Sequence, residues 1–238
     1  MSRAAKKSAF LRGMWDCSPF VLVIAPFGLL FGVVAGEAGL NLLETMGMTV
    51  LVIAGASQFT ALALLSEQAP TLVVIAAALA VNLRMAMYSA ALVPHLGKAS
   101  FGTRALAAYF MVDQSFAVAI KKYEAEPSLT LAQKLAYYFG CAAIICPFWY
   151  GCSAIGAVVG QAIPKDYSLD FAIPICFIAL VAPMLRSLPH LVAALVSIVC
   201  ALLLSWMPYN LWLLIAALFA MAAGAQAELW VEARKLCK

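Results

Sequence analysis

Charge is what this chain has least of: 11% of its residues are Asp, Glu, Lys or Arg, while 66% are hydrophobic. With a mean hydropathy of +0.99 over 238 residues, a soluble domain is excluded. Several stretches of about 20 mostly apolar residues match the length a helix needs to cross the hydrocarbon core. Histidine is almost missing. His95 and His190 both stand between Pro and Leu at expected span ends; helix-end punctuation is their expected role, and no metal site is expected. The seven cysteines (Cys17, Cys141, Cys146, Cys152, Cys176, Cys200, Cys237) are odd in number and contain no C-x-x-C pair. They read as free core thiols. No nucleophile elbow, HExxH, phosphate loop or pair of catalytic carboxylates occurs, so an enzyme is not expected and no cofactor is implied. The basic residues lie at the chain ends and between apolar runs rather than on a face interleaved with aromatics, which excludes nucleic acid as a partner.

What is present is a series of apolar runs. Backbone in lipid must satisfy its own hydrogen bonds, and no short alternating strands of barrel type occur, so the fold class is all-α: a polytopic transmembrane helical bundle, one membrane domain over 1–238. Expected spans run from Pro19 to Ala35, Thr45 to Leu65, Thr71 to Val93, Leu135 to Val159, Leu169 to Leu185, Pro189 to Trp206 and Leu211 to Ala227. The stretch from Gly102 to Ile120 decides between seven and eight. If it crosses, Lys121, Lys122 and Lys134 fall on the same side as Arg3, Lys6, Lys7 and Arg12, and both chain ends are cytoplasmic by the positive-inside rule. Eight spans is the preferred reading; it leaves Lys98 and Arg104 outside.

Residues 31–38 and 155–162 share a pattern in which Gly32, Gly36 and Ala38 align with Gly156, Gly160 and Ala162. The spacing fits either two closely packed helices or an internal repeat of the kind transporters use. Eight spans would make the copies parallel; seven would make them inverted.

Two charges sit deep in apolar stretches, Arg84 and Asp113. A charge at bilayer depth costs about 2.5 to 3.5 kcal/mol on insertion scales, so it is expected to face a partner charge, an interior or a water-filled path. Arg84 shares a helical face with Tyr88, and Asn82 lies on an adjacent one. Arginine can clamp a carboxylate with two parallel hydrogen bonds, and that carboxylate is Asp113, a substrate's, or each in turn. For Asp113 two roles stay open, a proton carrier or a permanently ionised partner of Arg84, because low dielectric opposes its charge and an arginine supports it. Gly55, Ala56, Ser57 and Gln58 place small and polar residues where a lipid-facing helix would carry Leu, Ile and Val. The segment either unwinds to expose backbone to a zwitterion or forms a tight helix crossing. Pro26, with Gly28 and Gly32, is a candidate hinge in the first span.

These segments resemble the AzlC family, the large subunit of bacterial branched-chain amino acid exporters. The resemblance is carried by Pro26-Phe-Gly-Leu-Leu-Phe-Gly32, Ala54-Gly-Ala-Ser-Gln-Phe59, Asn82-Leu-Arg-Met-Ala-Met-Tyr-Ser-Ala-Ala-Leu-Val-Pro94 and Asp113-Gln-Ser-Phe116. It implies a permease in the bacterial inner membrane that exports leucine, isoleucine, valine and methionine, driven by the proton motive force. A small, separately encoded AzlD-like membrane subunit is implied as partner. Asp113 is followed here by Gln114, so a mechanism using two adjacent carboxylates does not fit. Gly55 to Gln58, Asn82 and Arg84 are then the expected substrate contacts and Asp113 the proton-coupling residue. The rival readings are a permease for another small organic solute and a non-transporting membrane scaffold.

Overall fold

A computed structural model of the chain describes residues 3–162, 185, 187–207 and 211–236. Apart from Leu185, the expected span over 169–185 lies outside them. Every regular element among the described residues is helical. Helix α1 (Arg3–Cys17) continues through a 3-10 turn (Ser18–Phe20) into α2 (Val21–Glu37), followed by α3 (Leu42–Leu51), α4 (Gly55–Ser66), α5 (Thr71–Leu96), α6 (Phe101–Tyr109), α7 (Asp113–Ala125), α8 (Leu131–Ala162), α9 (Leu188–Leu204) and α10 (Leu211–Leu236). Among the described residues three helical runs are long and apolar enough to cross a membrane: Ala5–Glu37, Thr71–Leu96 and Leu131–Gly160. The chain divides into two compact units, Met1–Phe59 with Val81–Leu169, and Thr60–Ala80 with Asp170–Lys238.

In the first unit α1 and α2 lie along α8, and glycine sets their register. A methyl group on Gly13 would overlap the Tyr137 carbonyl, and one on Gly140 the Phe10 carbonyl. Further along, Gly32 has the same relation to Ser153, and Gly156 to Leu29. Residue numbers rise together in both helices, so the two run parallel. Close backbone approach of this kind is how small residues hold helices together where lipid offers no hydrophobic drive between them. The shared pattern at 31–38 and 155–162 therefore serves as a packing surface.

Helices α5 and α7 also run parallel. Arg84 meets Asp113, Tyr88 stacks on Phe116, and His95 lies against Tyr123. The end of α5 thus reaches the start of α8, where His95 Nδ1 is 3.2 Å from Lys134 Nζ. Arg12 of α1 is at this end too, 3.7 Å from Glu126, which Lys122 also contacts. The hydrogen bond from Lys122, with Arg12 beyond it, holds the exposed Glu126 carboxyl below the usual carboxylate range. We term this the charged end of the unit.

That geometry corrects the span reading. Helix α6 leaves from the charged end and α7 returns to it, so Gly102 to Ile120 does not cross. The turning point is a break at Phe110 to Val112, where Val112 is extended (φ −132°, ψ 160°). Since α2 runs away from the charged end and α5 runs toward it, the chain between them, including Thr45 to Leu65, makes no net crossing either. Here Val52 is extended (φ −134°, ψ 98°) and separates α3 from α4. Two half-length helices joined at a break have the length and hydropathy of one span, which is why each reads as a crossing. The two corrections cancel in parity: α8 remains parallel to α2, as eight spans require. They also bring Lys98 and Arg104, which flank the α5–α6 connection, to the end that holds Arg12, Lys122 and Lys134.

A second repetition emerges. Within the first unit α2 runs away from the charged end and α5 runs toward it, and each is followed by two short helices joined at a break. Asn41 and Ser100 cap the hairpins' first helices. Phe27 lies against Gly55 as Arg84 lies against Asp113, and Phe31 meets Phe59 as Tyr88 meets Phe116. In the second unit α9 and α10 pack through Gly224, which lies close to Ala193 and Pro189, and the Arg234 guanidinium sits 3.7 Å above the Trp230 ring.

Candidate functional site

The two breaks meet at mid-depth in the first unit. Tyr109, the last residue of α6, donates to the Val50 carbonyl at 2.7 Å, and its hydroxyl lies 3.1 Å from that of Tyr150 on α8. Val50 stands in the last turn of α3, whose carbonyls lose their helical partners when the chain extends. Beyond each break a new helix begins, and its first-turn N–H groups and dipole favour negative charge. Asp113 supplies that charge for α7. Helix α4 has no acidic residue in its first turn. Ser115 fixes the second break, accepting from Val112 N at 3.2 Å and donating to Val112 O at 3.0 Å.

Asp113 Oδ2 is 3.2 Å from Arg84 Nη2, with side chains 39% and 22% exposed respectively. The Tyr88 hydroxyl lies beside the same carboxylate. The pair uses only part of its capacity: Arg84 Nε and Asp113 Oδ1 are buried without hydrogen-bond partners, as is Asn82 Oδ1. A bidentate fork would engage both. Of the partners left open for Arg84, Asp113 is thus in contact with it, and each of the two keeps a buried polar atom unpartnered.

At the start of α4, Ala56, Ser57 and Gln58 are all buried, and Gln58 is 1% exposed with neither amide atom partnered. The unwinding expected at Gly55 falls just before it, at Val52 to Ala54. A Cβ on Gly55 would lie 2.6 Å from the Phe27 ring and 3.0 Å from that of Trp149. Phe27, Phe31, Phe59 and Trp149 form one aromatic group, with ring centroids 4.9 to 5.8 Å apart. Trp149 Nε1 and Ser153 Oγ are also buried and unpartnered. A buried polar group left unsatisfied costs about 1–3 kcal/mol, so each of these atoms would gain from a polar partner. Of the candidate hinge, Pro26 is exposed within α2, Gly28 lies against Trp149 and Cys152, and Gly32 lies against Ser153 and Ala157.

Phe27, Trp149, Tyr109 and Tyr150 were not legible as site residues. Their only sequence signal is proximity to Gly28, to Pro147 and to the polar run at Asp113. Among the described residues no group of His, Cys, Asp or Glu is arranged to hold a metal ion.

Broken helices whose ends converge on a partly satisfied ion pair define a helical membrane protein of the transporter type. The AzlC protein family matches residues 19–163, which contain both hairpins. A membrane protein of Archaeoglobus fulgidus, described as uncharacterized, is 31% identical over 190 residues, covering 78% of this chain and 80% of its own. An uncharacterized membrane protein of Helicobacter pylori J99 is 25% identical over 176 residues, covering 72% and 75%. No solved structure matches. The chain belongs to the AzlC family.

Proposed function

We propose that this protein is a secondary exporter of branched-chain amino acids and methionine, driven by protons and working with a small AzlD-like subunit in the bacterial inner membrane. The charged end, with its concentration of basic residues, faces the cytoplasm, and so do both chain termini. The observation that carries the reading is the occurrence, beside two helix breaks that touch, of a buried Gln58 side-chain amide with neither atom partnered and of a carboxylate, Asp113, whose arginine partner holds it by a single contact. The substrate carboxylate binds the Gln58 side-chain amide at the positive end of α4, while its ammonium binds Asp113 with Asn82 nearby. Arg84 neutralises Asp113 when the site is empty. An arriving proton does the same, so proton and ammonium contend for one carboxylate.

The test is efflux of labelled leucine and methionine from vesicles holding the chain and its small partner under an imposed pH gradient. Gradient-driven efflux abolished by Asp113→Asn, with the protein still folded, is the expected result. Efflux that survives the substitution removes Asp113 as the coupling residue. No efflux of either amino acid from the unaltered protein overturns the exporter reading.

A further inference from the structure

The first unit contains a groove between the C-terminal half of α5 and α6, with a volume of about 350 Å³. Leu92, Val93, Leu96, Phe101 and Met111 give it an apolar lining. Arg104 is the one charged residue on its wall, and no ion pair joins that guanidinium to a carboxylate among the described residues. The groove runs along α6 from the charged end to the break. Phe101 and Arg104 belong to the part of α6 nearest the charged end, while Met111 belongs to the break, directly before Val112 and Asp113. On the α5 side the inner wall reaches Ser89, next to the Tyr88 that lies beside Asp113.

We infer that this groove is a second binding site, an access site that takes an aliphatic solute bearing a carboxylate, with Arg104 anchoring the carboxylate and the apolar wall holding the chain. An unpaired guanidinium at the rim of an apolar pocket matches a carboxylate joined to a short hydrocarbon. The volume fits one small solute and not a two-chain lipid. The role as an access route rests on the exporter reading; the binding itself does not.

The experiment uses the full chain in vesicles with Ala105→Cys, a wall position, labelled by a maleimide against the parent chain as blank. Leucine and 4-methylpentanoate, which share the carboxylate and the branched chain, are expected to slow labelling; leucinamide, which lacks the carboxylate, is not. In the Arg104→Gln background, half-protection should need about tenfold more solute, the loss of one charge-assisted hydrogen bond. Ala108→Cys serves as a second reporter if Ala105→Cys fails to fold. Equal protection by leucinamide, protection by none of the three, or labelling that follows only the anionic lipid content of the vesicles would each overturn the assignment. Protection without efflux would leave the groove standing and remove the exporter reading; efflux without protection would do the reverse.

Discussion

Arg84 and Asp113 can be separated by a double-mutant cycle whose outcome the geometry fixes in sign. Two unit charges about 4 Å apart interact by about 4 kcal/mol at an effective dielectric of 20. The side chains are 22% and 39% exposed, at a closest approach of 3.2 Å, and fully exposed pairs contribute about 0–1 kcal/mol. A coupling of about 2 kcal/mol lies between these limits. The single variants should not be equal. After Arg84→Ala, Asp113 still meets the positive end of α7, an interaction of about 0.3–1 kcal/mol. After Asp113→Ala, the guanidinium faces that same end with nothing to offset it. Asp113→Ala should therefore lower stability more than Arg84→Ala, and the double variant should be less destabilised than the sum of the two. At about 2–4 °C per kcal/mol for a chain of this size, the coupling appears as a gap of about 4–8 °C in thermal midpoints measured in one detergent. Losses that add to within about 0.5 kcal/mol would refute the pairing.

Gly32→Leu should prevent α2 and α8 from associating and abolish folded protein in size-exclusion chromatography, because even a methyl there overlaps backbone, whereas Gly36→Ala, with its nearest neighbour 3.9 Å from the new Cβ, should be tolerated. Gly55→Ala drives a methyl into the Phe27 ring and close to that of Trp149; efflux should fall at least about tenfold and recover in part with Phe27→Leu, which relieves the closer of the two contacts. Tyr109→Phe removes the donor to Val50 at the contact between the two breaks; the loss should be about 1 kcal/mol, with faster hydrogen exchange at Val52 to Ala54. Glu126 has a lowered carboxyl pKa in the folded state, so the stability it contributes is present above its unfolded value and is lost as pH falls through the folded one. Glu126→Gln should flatten that part of the acid-side decline in thermal midpoint.

Composition made the helical class legible, and helical spacing made the polar face legible: Arg84 and Tyr88 do share the surface that meets Asp113 and Phe116. Small residues near Gly55 pointed to a break within a few residues of where it lies. The hairpins were not legible because hydropathy averages over a window and records no direction. The stretch from Thr45 to Leu65 has the apolar content of a crossing, and only the end of α5 beside Lys134 shows that the chain has turned back. Asn41 and Glu44 form a capping box just outside that stretch, and Ser100 caps α6. These mark helix starts, which crossings and hairpins share. Phe27 and Trp149 were missed for a related reason: an aromatic in an apolar run looks the same whether it faces lipid or covers a helix end.

The two broken helix pairs are alike in layout and unlike in charge, and that difference bears on coupling. At α4 the first turn holds no acidic residue and Gly55 lies against aromatic rings; at α7 the first turn holds a carboxylate whose partner is an arginine. In the proposed mechanism the substrate ammonium and the proton bind the same Asp113, so they cannot bind together, and each releases Arg84 when it arrives. Exclusion at a single group suffices to couple opposed fluxes without a second titratable site, which suits a chain with Gln114 after Asp113. Asp113→Asn should therefore bind leucine weakly in calorimetric titration and lose gradient-driven efflux together, whereas Gln114→Ala should keep both. Leucine binding by Asp113→Asn as tight as that of the unaltered protein would mean that the ammonium does not meet Asp113, and the coupling would have to lie elsewhere in the chain or in its partner.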